Sequence, residues 1–415
     1  MGFWTLFQVA SVPNLQVLLI SLVGAFMATK HCNLLTEDAR KSLNKIVFMV
    51  FTPSLMFASL AKTVTFEDIV SWWFMPVNIA LTFVVGGILG WIVVKLVKPS
   101  PHLEGVVIAV CSSGNLGNLM LIIVPAICKE DGSPFGDKGI CSTVGLSYAS
   151  FSMALGGFFI WTYTFQLIRS SCTRYKELQA EENRTKVPNG GFDVNTEAPL
   201  LKGKDQGQMP DSDKAEKSIE DVESQAELNS EAKRETSIFS KIGGFLHQIV
   251  EELMAPPTMA AVVGFIFGAV SWLRNLIIGE GAPFRVLQES IKLLGDGTIP
   301  CITLILGGNL TKGFRSSKIG PLVVIGVLLV RYVISPAIGI WVVKAAGNLG
   351  FLPSDPLYRY VLMVQFTVPP AMNIGTMTQL FGVGSDECSV LFFWTYLVAA
   401  LALTLWSTVF MWILS

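Results

Sequence analysis

Charged residues are scarce in this sequence: Asp, Glu, Lys and Arg make up 15% of its 415 residues, and the formal net charge is -1. So little charge gives no support to a nucleic-acid partner. Histidine occurs only three times, and the seven cysteines are scattered without C-x-x-C spacing. We therefore expect neither a metal site nor a cofactor.

Catalytic signatures are missing as well. The sequence contains no G-x-S-x-G or H-E-x-x-H motif, and no histidines or carboxylates cluster within its apolar segments, which argues against an enzyme. The segment 1–16 has no basic stretch ahead of its apolar run and no small-residue cleavage site. We expect it to remain as part of a first helix and not to be removed as a signal peptide.

Apolar residues are abundant: 51% of the chain is hydrophobic, and the mean hydropathy is +0.55. Ten apolar runs have about the 20 residues needed to cross roughly 30 Å of hydrocarbon. The sequence therefore predicts an all-α integral membrane protein with ten transmembrane helices. The runs come as two sets of five, at 13–30, 43–61, 71–97, 103–127 and 142–168, and at 256–278, 288–310, 319–344, 357–382 and 388–414.

Between the two sets lies a polar stretch that is almost free of aromatic residues, from Arg169 to about Ser237. Such a composition cannot bury a core and is typical of a disordered loop. The following 238–254 has apolar residues at helical spacing, which fits either a helix on the membrane surface or a lead-in to the sixth span. We predict three parts: residues 1–168, 169–255 and 256–415.

Basic residues follow the first and fifth apolar runs, where they predict the side of the membrane. Because positive residues favour the cytosol, the large loop should be cytosolic and both termini should lie on the opposite side. Two lysines in the loop after the fourth run weakly oppose this orientation. The basic residues are Lys30, Arg40, Lys41 and Lys45 after the first run, and Arg169, Arg174 and Lys176 after the fifth.

The two sets resemble each other weakly. An offset of 255 residues places Asn118 on Asn373 and the proline that opens the fourth segment on the one that opens the ninth, and a shorter offset places Pro53 on Pro300. Since five is an odd number, the second set must enter the membrane from the opposite face. The pattern predicts inverted repeats, a plan that secondary transporters use for alternating access.

The fourth and ninth segments are both interrupted. Turn-forming residues occupy 112–118, and Pro369 and Pro370 interrupt 357–382, so both helices should be broken near the membrane centre. A half-helix that begins there exposes free N–H groups and a partial positive charge, which suit a carboxylate. We expect the substrate site at these breaks, with the amides of Asn115, Asn118 and Asn373 orienting the ligand. Alternatively, the asparagines only satisfy freed backbone groups.

Two further residues are site candidates. Arg331 is the only charged residue near the middle of a segment, and it could attract an anion, pair with Asp296 or bind backbone carbonyls as internal bracing. Tyr148 could stack on an aromatic ligand or simply pack in the core. No segment centre supplies a carboxylate, so obligatory cation coupling is disfavoured, although hydroxyls and carbonyls could still hold sodium.

The sequence resembles the plant PIN-LIKES auxin transport facilitators, within the wider auxin efflux carrier group. The resemblance covers both sets of segments. Gly117 stands where the related plasma-membrane carriers have a proline, so the fourth helix departs from their pattern. The motifs that carry the resemblance lie at 33–36, 41–45, 51–55, 114–119, 307–310, 330–332 and 365–373.

The resemblance implies crossing broken helices four and nine, residence in the endoplasmic reticulum, and passage of indole-3-acetic acid between cytosol and lumen for intracellular auxin homeostasis. The partners would be the lipid bilayer and a small carboxylate, with a homodimer left open. A sodium- or proton-coupled organic-anion symporter of the same fold and a non-transporting auxin receptor are the alternatives. Cys128 and Cys141, at the two ends of one loop, are either a disulfide or two free thiols.

Overall fold

The computed structural model describes residues 2–185, 254, 256–311 and 319–415, and its regular elements in these ranges are helices. The helices are α1 (Phe3–Met27), α2 (Glu37–Ile46), α3 (Thr52–Thr63), α4 (Phe66–Ser71), α5 (Phe74–Val97), α6 (Glu104–Ser112), α7 (Asn118–Lys129), α8 (Lys138–Phe159), α9 (Phe165–Thr185), α10 (Pro256–Ala269), α11 (Ser271–Ile277), α12 (Arg285–Asp296), α13 (Thr298–Leu310), α14 (Pro321–Leu329), α15 (Ser335–Asn348), α16 (Pro356–Val364), α17 (Asn373–Phe381) and α18 (Ser385–Leu414).

Seven helical stretches within the described residues are long and apolar enough to cross a membrane. An eighth is added if α10 and α11, which are bent by 104° at their break, are counted as one span. The predicted all-α membrane class is confirmed. The count of ten stays a prediction, because the predicted fourth and ninth segments are each divided into two short helices. The inverted repeat also stays a prediction.

The second span begins earlier than the apolar pattern predicts. Hydropathy places its start at residue 43, whereas α2 begins at Glu37 and continues through a π-helical turn, Val47–Phe51, into α3. The Thr36 side chain accepts a hydrogen bond from the N–H of Ala39, and acidic residues occupy the first turn. These are the signals of a helix N-terminus, so polar residues form the first turns of this span.

The predicted loop does not begin at Arg169. The chain remains helical as far as Thr185, because the residues after Arg174 are mostly good helix formers such as Glu, Leu, Gln and Ala. One compact unit comprises Met1–Lys176 and Ile249–Ser415, and the other comprises Glu177–Gln248. The rest of the predicted loop and the predicted surface helix at 238–253 lie outside the described residues.

Two helix pairs make close backbone contacts through glycine. A Cβ on Gly307 of α13 would lie 1.8 Å from the carbonyl oxygen of Ser21 in α1, and one on Gly24 would lie 2.2 Å from that of Leu304. In the same way, a Cβ on Gly268 of α10 would lie 2.4 Å from the carbonyl oxygen of Val64, just after α3. Small residues let membrane helices approach this closely, so α1 is seated on α13 and α10 on α3.

Cys128 and Cys141 form a disulfide in the structure, with their Cα atoms 5.5 Å apart. The bond joins the end of α7 to the start of α8 and closes the loop between them. Of the two alternatives for these cysteines, the structure therefore has the bridge.

Candidate substrate site

Both predicted interruptions are present in the structure. The first separates α6, which ends at Ser112, from α7, and the second separates α16, which ends at Val364, from α17. In the first, Ser and Asn side chains compete with helical hydrogen bonds and glycine has a low helix propensity; in the second, consecutive prolines lack N–H groups. Local sequence thus accounts for where each helix breaks.

The two interrupted segments pair through their backbones. Gly114 and Pro370 form an isolated antiparallel bridge. The N–H of Asn115 donates to the carbonyl of Pro369 at 2.7 Å, and the N–H of Ala371 donates to the carbonyl of Ser113 at 2.9 Å. These bonds satisfy backbone groups that the missing helical turns leave without partners. We call this paired region, residues 113–117 and 365–372, the crossover.

A side chain from α18 also joins the two halves of the crossover. The Asn115 amide donates to the hydroxyl of Tyr396 at 2.9 Å, and this hydroxyl donates to the carbonyl of Pro370 at 2.8 Å. Asn115 and Tyr396 are both buried. Asn115 therefore holds the crossover together with both its backbone and its side chain.

The C-terminal ends of the first half-helices are bonded in matching ways. Arg331 donates from Nε to the carbonyl of Val110, in the last turn of α6, at 3.0 Å. Asn78 donates from Nδ2 to the carbonyl of Leu362, in the last turn of α16, at 3.1 Å. Asn78 and Arg331 are separated by 253 positions, and the two carbonyls by 252, which is close to the offset of 255 found in the sequence. Each free helix end thus receives a donor from a neighbouring span.

Each second half-helix begins at one of the predicted asparagines. Asn118 is the first residue of α7, Asn373 is the first residue of α17, and the residue before Asn118, Gly117, has no side chain to bond the free N–H groups. Both asparagines are half-buried, and among the described residues neither side-chain amide has a hydrogen-bond partner. The two helix starts therefore present free donors and acceptors beside the crossover.

Two cavities adjoin these helix starts. The larger has a volume of about 180 Å³ and the smaller about 80 Å³, and Asn118, Met372 and Asn373 line both. The larger is also lined by Glu37, Arg40, Lys41, Asn44, Ile302, Ile305, Leu306, Asn309, Gly375, Thr376, Ser389, Phe392 and Tyr396. The smaller is also lined by Phe48, Asn115, Leu116, Gly117, Met153, Ala154, Gly156, Gly157, Ile160, Pro257, Thr258 and Ala371.

The structure places Arg331 and Tyr148 outside the lining of both cavities. Arg331 is 3% exposed and lies behind the crossover, where its terminal nitrogens would be 3.5 Å from a Cβ on Gly114. Of the alternatives for Arg331, its bond to the Val110 carbonyl is the internal bracing. Asp296 does not pair with Arg331 but accepts a hydrogen bond from Lys292. The Tyr148 hydroxyl donates to Asp355 at 2.6 Å, and its ring packs against two other aromatic rings, those of Trp72 and Tyr358.

The structure brings together Asn115, Asn118, Asn373 and the two prolines as predicted, and adds three residues that sequence reasoning missed. Arg40 lines the larger cavity from a turn of helix that hydropathy had assigned to a loop. Tyr396 and Asn78 are a tyrosine and an asparagine within apolar spans, and nothing in the local pattern links them to residues hundreds of positions away. Only the spacing of Arg40 and Asn44 on one helical face could have been noticed.

No group of three or more potential metal ligands occurs among the residues that the structure describes. A ligand in the cavities would meet amides, aromatic and aliphatic walls, and the charged residues of α2. Such walls suit a small molecule with an apolar body and a few polar atoms.

A bundle of apolar helices, two of them broken where cavities meet free helix starts, defines a membrane transport protein. Residues 9–407 match the family described as Membrane transport protein. The chain is 60% identical to Protein PIN-LIKES 7 of Arabidopsis thaliana over the whole of both chains. It is 58% identical to Protein PIN-LIKES 5 of the same plant, covering 99% of each chain, and 43% identical to Protein PIN-LIKES 1, covering 99% of this chain and 80% of that one. The chain belongs to the PIN-LIKES family of membrane transport proteins.

Proposed function

We propose that this protein is a secondary carrier for auxin, indole-3-acetic acid, and that the substrate binds at the crossover. One observation carries the proposal: α7 and α17 both begin at asparagines whose amides have no partner among the described residues and which line the same two cavities. Helix N-termini attract anions, and amides orient polar atoms without the desolvation cost of a charge. An indole carboxylate offers both kinds of group.

The proposed mechanism is alternating access by two inverted repeats, residues 1–168 and 256–415. The matching donors from Asn78 and Arg331 to the C-terminal ends of α16 and α6 support it, because they relate the same positions of the two halves. So does the seating of α1 on α13 and of α10 on α3, in which the first span of each half packs on the second span of the other. In this plan one group of helices moves relative to the other around a site near the membrane centre.

We further propose residence in the endoplasmic reticulum membrane, with both termini lumenal and residues 169–255 cytosolic. The resemblance to the PIN-LIKES facilitators implies the reticulum, and the positive charges after α1 support the orientation. The disulfide between Cys128 and Cys141 also supports it, because it would lie on the lumenal, oxidising side.

The test is uptake of labelled indole-3-acetic acid into liposomes that contain the purified protein. We expect saturable uptake by the wild type, with benzoic acid as a competitor control. Asn118→Ala and Asn373→Ala should each raise KM about threefold to tenfold, since each removes one or two hydrogen bonds to the ligand. Asn348→Ala is the matched control, because it changes an exposed asparagine at the end of α15.

Each outcome has a distinct meaning. Unchanged binding and flux in both crossover variants would place the site elsewhere. Uptake by the wild type that collapses when sodium is replaced by choline would support the sodium-coupled alternative. Saturable binding without accumulation, across several imposed gradients, would support the receptor.

A further inference from the structure

One wall of the larger cavity is formed by the first turns of α2. Four of its lining residues lie on one face of this helix, and each is three or four positions from two of the others. They are Glu37, Arg40, Lys41 and Asn44. The cavity that contains Asn118 and Asn373 is therefore bounded on this side by charged residues.

Arg40 is held firmly in this wall. The residue is only 8% exposed, and its guanidinium donates to the carbonyl of Gly308 in the last turn of α13. Gly308 leaves no room for a Cβ, which would lie 2.8 Å from Cδ of Arg40. A guanidinium carries five N–H donors in a fixed plane, and the Gly308 carbonyl accepts one of them. The charge of Arg40 is thus fixed at the edge of the cavity.

The balance of charge in the lining is positive. Two cations and one carboxylate line the cavity, and the carboxylate, Glu37, lies 3.4 Å from Lys41, whose side chain is well exposed. Other parts of the wall are apolar, with Ile305 and Phe392 among them. A cation at one side, with amides, hydroxyls and apolar groups elsewhere, matches a monoanion with an aromatic or aliphatic body.

We propose that Arg40 is the residue that recognises the carboxylate of the transported ligand and so selects anions over neutral analogues. This role rests on the proposed carrier function. Arg40 binds the carboxylate through N–H donors in a planar fork, and the amides of Asn118 and Asn373 at the helix starts bind the rest of the carboxylate and the indole N–H. The substrate class is a monocarboxylate with an apolar ring.

The experiment compares the anion with its neutral isostere. Equilibrium binding of indole-3-acetate and of indole-3-acetamide is measured on the full-length protein in lipid nanodiscs, and uptake of indole-3-acetate is measured in liposomes. For Arg40→Gln we expect the affinity for indole-3-acetate to fall at least about tenfold, which is the size of a lost charge-assisted hydrogen bond. The affinity for indole-3-acetamide should be unchanged. Arg40→Lys should lie between Arg40→Gln and the wild type.

Lys45→Gln is the matched control, because it removes the same charge from an exposed position of α2 outside the lining of both cavities. Arg40 also bonds to Gly308, so a purely structural effect would weaken binding of both ligands alike. Asn44→Asp provides a second variant that keeps this bond. It places a carboxylate one helical turn from Arg40, so it should lower the affinity for indole-3-acetate and leave the affinity for indole-3-acetamide unchanged.

If Arg40→Gln and Asn44→Asp both keep the wild-type preference for indole-3-acetate over indole-3-acetamide, the role of Arg40 is overturned. Wild-type binding without uptake would contradict the carrier function and leave the preference measurable. A wild type that binds neither ligand would overturn both proposals.

Discussion

Asn115 and Tyr396, which are 281 positions apart in the chain, are joined by a hydrogen bond of 2.9 Å between the amide and the phenol hydroxyl. Because the same hydroxyl donates to the carbonyl of Pro370, one tyrosine from α18 connects the two interrupted segments. The crossover is therefore stabilised from a third helix, and its geometry depends on a residue far from either break.

The first prediction concerns this connection. Tyr396→Phe keeps the ring and removes the hydroxyl, which leaves the buried Asn115 amide and the Pro370 carbonyl without this partner. Such a loss costs about 1–3 kcal/mol. We expect a lower unfolding temperature and slower uptake of indole-3-acetate. Thermal unfolding of the purified variant in detergent measures the first, and the liposome assay measures the second.

A double-mutant cycle with Asn115→Ala is the control for Tyr396→Phe. If the two side chains act through their shared bond, the double variant should lose less stability than the two single variants together, by about 0.5–1.5 kcal/mol. Strict additivity would contradict the connection.

The second prediction tests how tightly the crossover is packed. A Cβ on Gly114 would lie 2.8 Å from a methyl carbon of Val368 on the other segment. Gly114→Ala should therefore separate the segments, at a cost of about 1–3 kcal/mol, and reduce the maximal rate of uptake. Gly281→Ala is the control, since its Cβ would meet no atom within 4 Å. Equal uptake rates in the two variants would argue against a tight crossover.

The third prediction concerns the buried cation. Arg331→Met removes the donor to the Val110 carbonyl and the positive charge at the C-terminal end of α6. We expect a loss of about 1–3 kcal/mol of stability, measured by chemical unfolding. Arg285→Met removes an exposed arginine that pairs with Glu289 one turn away, and it should change stability by about 0.5 kcal/mol or less. Similar losses in both variants would contradict a bracing role for Arg331.

The fourth prediction concerns the loop between α7 and α8. In membranes that contain the protein, maleimide should label the exposed Cys32 without reduction but should label Cys128 and Cys141 only after reduction. Replacing both cysteines of the pair with serine should lower the unfolding temperature, because a disulfide of this loop length contributes about 2–4 kcal/mol. Labelling of both without a reductant would exclude the bridge.

The breaks could be predicted from the sequence because they depend on local backbone chemistry. Pro369 and Pro370 lack N–H groups wherever they stand, and the residues around Gly114 favour turns in any surroundings. The asparagines at the starts of α7 and α17 followed from the same reasoning, together with the internal repeat.

The partners of the crossover could not be predicted in this way. Tyr396 looks like any aromatic residue of an apolar span, and its role follows only from the folding of distant helices together. Hydropathy places Arg40 in a loop, because it measures the apolar part of a span and overlooks polar first turns that a capping residue such as Thr36 supports. The place of Arg331 within a segment marks it as unusual, but the sequence alone leaves an anion, Asp296 and backbone carbonyls open as its partner.

The glycine contacts of α1 with α13 and of α10 with α3 have a consequence for motion. Where the backbones of two helices touch, with Gly307 against Ser21 and Gly268 against Val64, neither helix can slide or rotate unless the pair first separates. Each pair should therefore behave as one rigid body, and the two pairs would form a stationary frame. The broken helices would then be the part that moves when a ligand crosses the membrane. Their half-helices end in hydrogen bonds, which can be exchanged without separating packed backbones.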